Sequence, residues 1–270
     1  MSIEDHPAYV AGRVSPQLAM EKKIDEWVEL YADDAILQDP VGVSPLDPSG
    51  NGHKGKAAIR AFAEMVMGPE NRMDFVVRES YPCGDECANI ATIYHLDENG
   101  DRTEAITELV PIYKVNEAGK VTSMQAYWHF DTSKDITDHP AYIAGRASPA
   151  MAVAGNKQGW LDLFAEDAVV EDPVGKSPLD PSGKGHRGIE AISAFWDLVS
   201  GDAQLEFTVK RSFVCANSCV NIASLTNTFK DGKNVSTDLI AKYDVDEAGK
   251  ITSLKAYWVF DEDAQAAFGD

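Results

Sequence analysis

Apolar and polar positions along this chain follow two rhythms, and the change from one to the other divides it into elements. Between Leu18 and Tyr31 the residues Met20, Ile24, Trp27, Val28 and Tyr31 recur three or four positions apart, which predicts the buried face of a helix. Ser15-Pro16 ahead of them has the form of an N-cap followed by a first-turn proline. After Asp33-Asp34-Ala35 a short extended run, Ile36-Leu37-Gln38, leads to Asp39-Pro40, where proline forbids a continuing helix and favours a turn. A loop rich in Gly and Pro follows to Gly55, and Ala58, Ile59, Phe62 and Val66 then mark one side of a helix from Lys56 to about Met67. Beyond it the pattern is strand-like: strands are predicted over 73–81, 88–96, 103–115 and 121–130, separated by turn residues such as Asn99-Gly100 and Glu117-Ala118-Gly119-Lys120.

The same succession then begins again. Asp5-His6-Pro7-Ala8-Tyr9 returns as Asp138-His139-Pro140-Ala141-Tyr142, Asp39-Pro40-Val41-Gly42 as Asp172-Pro173-Val174-Gly175, and Ala126-Tyr127-Trp128 as Ala256-Tyr257-Trp258. Met151, Trp160, Leu163 and Phe164 repeat the first helical face behind a second Ser-Pro pair, Ser148-Pro149. Ile189, Ile192, Phe195, Trp196 and Val199 repeat the second face. The expectation is two domains, 1–134 and 135–270, each large enough to close its own core. Helices first and a meandering antiparallel sheet afterwards is the α+β pattern, and curling the sheet around the helices buries both helical faces. Such a curved sheet leaves a cone-shaped pocket, the kind of concave apolar place that ligand sites favour.

Composition narrows the partners. Of 270 residues 44 are acidic and 24 basic, a net charge of -20, and a surface this acidic repels nucleic acid and anionic lipid. No stretch approaches the ~18 consecutive apolar residues of a membrane span, and Met1-Ser2-Ile3-Glu4-Asp5 has no form of a secretory signal, so a cytoplasmic protein is expected. The four cysteines, Cys83, Cys87, Cys215 and Cys219, flank two predicted hairpin tips. Reduced structural thiols, cross-hairpin disulfides and metal ligation all remain open, although no His lies at finger spacing. His53 and His186, each close to glycines, are expected at the surface or as loop anchors.

Several segments in order resemble the ketosteroid isomerase and SnoaL-like branch of the nuclear transport factor 2 superfamily. In copy one they are Tyr31-Ala32-Asp33-Asp34-Ala35, Gln38-Asp39-Pro40-Val41-Gly42, Gly55 with Ala58-Ile59-x-Ala61-Phe62, and Glu117-Ala118-Gly119-Lys120 through Met124-Gln125-Ala126-Tyr127-Trp128. Copy two matches through Glu166-Asp167-Ala168, Glu171-Asp172-Pro173-Val174-Gly175, Gly188 with Ala191-Ile192-x-Ala194-Phe195, and Asp246-Glu247-Ala248-Gly249-Lys250 through Tyr257-Trp258. The resemblance implies that Asp39 and Asp172 are general bases that move a proton between carbons of an enone, while a tyrosine and a protonated aspartate hold the oxyanion. Read from the residues alone, capping its own turn through its side chain is the commoner role of such an aspartate.

The oxyanion partners depart from the family. Where it carries its tyrosine this chain has Ser15 and Ser148, and where it carries its protonated aspartate, Pro111 and Ala241. Tyr113 and Tyr243 stand two residues beyond those last positions, on the same strand face, and are either substitute donors or aromatic core. Trp128 and Trp258 match a pocket-lining tryptophan of the family, and Phe62, Phe195 and Trp196 are expected beside them as ligand contacts.

The expected function is therefore binding of a hydrophobic steroid- or polyketide-like molecule, with Asp-mediated isomerisation or cyclisation as its chemistry. The alternative is a non-catalytic binding protein of the same fold. No cofactor and no metal is implied. Because sheets of this family pair as dimers, the duplication implies an intrachain pseudo-dimer, with or without further self-association.

Overall fold

In the computed structural model, which describes residues 3–200, 204–230 and 232–259, the helical part of each copy starts well before its Ser-Pro pair. Helix α1 spans Pro7–Met20, and its counterpart α4 spans Pro140–Val153. The real start signals are His6-Pro7 and His139-Pro140: proline stands first, where its missing N–H forgoes no helical bond. Pro16 and Pro149 lie inside these helices, which corrects the N-cap reading of Ser15 and Ser148. An internal proline leaves the carbonyl four residues earlier without its helical donor. In copy two that carbonyl belongs to Gly145, and the side-chain amide of Asn221 donates to it at 2.8 Å. The helix reaches the sheet that closely because Gly145 has no side chain; a Cβ there would sit 3.1 Å from Cys219 Sγ.

The run from Leu18 to Tyr31 is two helices rather than one. Helix α1 stops at Met20, Lys22 takes φ 56°, and α2 resumes over Ile24–Glu29. Copy two breaks at the matching place with Gly155 at φ 62°, and α5 covers Lys157–Leu161. Tyr31 and Phe164 then open strands, β1 (Tyr31–Gln38) and, in copy two, β7 (Phe164–Glu171).

Short strands β2 (His53–Lys54) and β8 (His186–Arg187) lead into helices α3 (Gly55–Val66) and α6 (Gly188–Val199). Four longer strands complete copy one: β3 (Met73–Cys83), β4 (Glu86–Leu96), β5 (Arg102–Val115) and β6 (Val121–Tyr127). Their counterparts are β9 (Gln204–Cys215), β10 (Ser218–Thr228), β11 (Asn234–Val245) and β12 (Ile251–Tyr257). Each copy forms a six-stranded sheet, ordered β2-β1-β6-β5-β4-β3 and β8-β7-β12-β11-β10-β9. Neighbours are antiparallel except β1 with β6 and β7 with β12, which run parallel, so the sheet is mixed rather than wholly antiparallel as expected; a parallel pair needs a long crossover, and the rest of the domain supplies it. Register shifts at Val77/Glu79 and Ile222/Ala223 are bulges of the kind that bend strands.

The chain divides into two units, Met1–Thr132 and Ser133–Asp270. Each has its own core: Trp27, Leu37, Ile59, Phe62 and Tyr113 in the first, and Trp160, Val170, Ile192, Phe195 and Tyr243 in the second. All four cysteines are buried and none is joined in a disulfide. Register explains why they stay apart: Cys83 faces Glu86 and Cys87 faces Pro82, so the two thiols alternate to opposite sides of their hairpin, as do Cys215 and Cys219. Burial pushes the Cys87 and Cys219 thiols up to about 12, far from a reactive thiolate. No helix among the described residues is long and apolar enough to cross a membrane.

Candidate active site

A cavity lies between the helices and the inner face of the sheet in each unit, about 590 Å³ in copy one and 350 Å³ in copy two. Strand β1 ends at Gln38, and the next residue, Asp39, joins Pro40 through a cis peptide, as Asp172 joins Pro173. The turn is pinned to the last strand, where Val41 donates its N–H to the Ala126 carbonyl at 2.9 Å and Val174 to that of Ala256 at 3.0 Å. Asp39 and Asp172 line the cavities. Trp128, one residue past β6, donates its indole N–H to Asp39 Oδ1 at 2.6 Å, and Trp258 does the same to Asp172 Oδ1 at 2.6 Å.

These carboxylates are half-buried, each exposed toward its cavity. Protein nevertheless surrounds them, and this enclosure governs their chemistry. Desolvation raises Asp39 from 3.8 to about 6 against the opposing pull of the Trp128 hydrogen bond. Asp172 is raised by the same burial, opposed by Trp258 and by the nearby His186.

Beside each aspartate lies a hydroxyl cluster centred on the misread serine. Ser15 Oγ accepts the Trp27 indole N–H at 2.9 Å and the Tyr113 hydroxyl at 3.2 Å, and Ser15, Trp27 and Tyr113 all line the cavity. Tyr113 points inward because it stands opposite Cys87 on one neighbouring strand and Met124 on the other, both core residues. In copy two Ser148 Oγ accepts the Trp160 indole at 3.0 Å and interacts with Tyr243. Burial holds both phenols well above their ordinary value, so they remain protonated donors. Copy one adds Tyr31, whose hydroxyl lies near Ser15 and Tyr113 but is buried without a hydrogen-bond partner. Copy two has Phe164 at that position.

Phe62 lines the first cavity, and Phe195 and Trp196 line the second. His53 and His186 are not free at the surface: their rings pack at a tilt against Phe62 and Phe195 with centroids 4.8 and 4.6 Å apart, and each Nε2 is buried without a partner. Ala241 lines the second cavity, while Pro111 in copy one offers its carbonyl to Asn89 Nδ2 at 3.4 Å. The family's aspartate position is thus apolar twice. The role of Ser15 and Ser148 went unread, although both copies repeat the serine at the family's tyrosine position with a tryptophan twelve residues on. Among the described residues no group of three or more His, Cys, Asp and Glu is placed to hold a metal ion.

The sequence pattern of the SnoaL-like domain matches residues 17–124 and again 146–254. The chain belongs to the SnoaL-like family of the nuclear transport factor 2 superfamily, as a tandem of two such domains. Among solved structures it is similar to the Δ5-3-ketosteroid isomerase of a Mycobacterium species, with 36% identity and a TM-score of 0.43 over 45% of this chain and 94% of that one. It is also similar to the RV0760c protein of Mycobacterium tuberculosis in complex with estradiol-17beta-hemisuccinate, with 35% identity and a TM-score of 0.42 over 44% of this chain and 94% of that one. A third is a computationally designed 17-OHP binder, with 34% identity and a TM-score of 0.42 over 44% of this chain and 93% of that one.

Proposed function

We propose that each domain binds a hydrophobic steroid- or polyketide-like ketone and that Asp39 and Asp172 carry a proton between two of its carbons. The observation that carries this reading is a carboxylate enclosed at an apolar cavity, raised to about 6 in copy one and steadied by an indole N–H. Such a group is ionised at neutral pH yet basic enough to accept a proton from carbon. For a β,γ-unsaturated ketone the carboxylate takes a proton from the carbon between the carbonyl and the double bond. The electron pair moves onto the carbonyl oxygen as a dienolate, and the same proton returns at the far end of the double bond. Ser15 is suited to receive that oxygen. Its own oxygen accepts from Trp27 and Tyr113, which leaves the serine hydrogen to donate into the cavity that it lines.

The competing reading, binding without chemistry, draws on Pro111 and Ala241, which offer no side-chain donor where the family has one. Turnover of a β,γ-unsaturated ketosteroid, followed by the ultraviolet absorbance of the conjugated product, separates the two. The double variant Asp39→Asn/Asp172→Asn should lose about 10²- to 10⁴-fold in kcat/KM while binding the product enone normally. Equal turnover in that variant would falsify the proton-transfer reading, and absence of turnover in the wild type favours the binding protein. The intrachain pairing implied by the duplication is tested by mass in solution, where a stable assembly larger than 29.4 kDa would show that further self-association is needed.

A further inference from the structure

The two cavities share their base but not their walls, and position-by-position comparison shows how. On α3 the residue after Phe62 is Ala63, fully buried and small; on α6 the residue after Phe195 is Trp196, which lines the cavity. Trp196 packs at a tilt of 46° on Trp160 with centroids 5.1 Å apart, and both rings line the second cavity, with Phe164 set edge-on behind Trp160 at 4.6 Å. Three further lining positions also differ. Met67, Met73 and Met124 border the first cavity, and their counterparts Ser200, Leu205 and Leu254 border the second. Methionine is unbranched and adapts to irregular surfaces, whereas an indole is rigid, and Trp196 narrows the second cavity where Ala63 leaves room in the first. The roomier cavity, 590 against 350 Å³, is the one with the methionines.

We propose that the two sites select different ligand shapes. Copy one takes a puckered polycycle carrying angular methyl groups, copy two takes a flat aromatic polycycle, and Trp196 is the residue that separates them. This rests on the reading that both cavities hold hydrophobic ring compounds, and it adds the division between them. The groups at the base of the cavities do not discriminate, because Asp, Ser, Tyr and the indole donor are the same on both sides.

Calorimetric titration of the full chain with a methyl-bearing steroid enone and, separately, with a planar polycyclic phenol tests it. The steroid should bind once per chain in the wild type and twice in Trp196→Ala, and Ala63→Trp should abolish the wild-type site. The planar phenol should bind the wild type and weaken about tenfold in Trp196→Ala, the scale of one aromatic contact. Two steroid sites of equal affinity in the wild type overturn the division of ligands, and that result needs no variant to fold. One site remaining in a folded Trp196→Ala or Trp196→Leu protein overturns the role of Trp196, as does a steroid site that survives Ala63→Trp. Failure of both probes to bind any form overturns the proposed function and this inference together.

Discussion

Copies one and two of the repeat differ least where a proton would move and most where a ligand would be held. The aspartate, its indole donor at 2.6 Å, and the serine that accepts a second indole are superimposable in kind. Tyr31 against Phe164 and Ala63 against Trp196 are not. The first exchange removes a hydroxyl from behind the cluster, and the second fills part of the cavity. The difference teaches that the acid-base apparatus is separable from the walls, so each can be broken without the other.

The largest effect is expected from single base variants. Asp39→Asn and Asp172→Asn should each remove one copy's share of turnover by about 10²- to 10⁴-fold, and comparing the two by steady-state kinetics shows how the copies divide the activity. Next comes Ser15→Ala. It should slow copy one by about 10²- to 10³-fold if the serine is an oxyanion donor. It also leaves the buried Trp27 N–H without its acceptor, at about 1–3 kcal/mol in a denaturant melt.

A smaller effect concerns pH and stability. Folded Asp39 holds its proton up to about pH 6, whereas an unfolded aspartate releases it near 3.8. Between those values the folded state binds more protons, so stability falls as pH rises through that window and stays lower above it. Asp39→Asn removes this dependence and should stabilise the protein by about 1–3 kcal/mol at pH 8 and by little at pH 4, as urea unfolding would show. The smallest effect is expected of Tyr31→Phe. Deleting a buried hydroxyl that lacks a partner should leave stability unchanged or raise it by about 1 kcal/mol, and a clear loss would show that Tyr31 holds the cluster together.

Much of this was legible in the chain because its signals are local. The long strands and their turns follow from alternation and from Asn-Gly and Ala-Gly-Lys segments, and the predicted 88–96 is within two residues of β4 at Glu86–Leu96. The two-helix break was less visible because Lys22 reaches a positive φ that its side chain does not advertise, although Gly155 at the matching place carries the usual signal. Ser15-Pro16 misled because a Ser-Pro pair has the same local form at a helix start and in a helix interior. Only the packing of α1 against α2, which brings Trp27 to within 2.9 Å of Ser15, reveals the serine's task. Asp39 could be nominated from its motif, but its raised proton affinity comes from enclosure by residues far away in sequence.

The most direct test is the pH dependence of kcat/KM for a β,γ-unsaturated ketone in Asp172→Asn, where copy one alone retains its base. The account predicts a rate that climbs tenfold per pH unit in acid, levels off above about pH 6 as Asp39 ionises, and disappears when Asp39→Asn is added. A rate indifferent to pH across that range, or one that survives the second substitution, would contradict it.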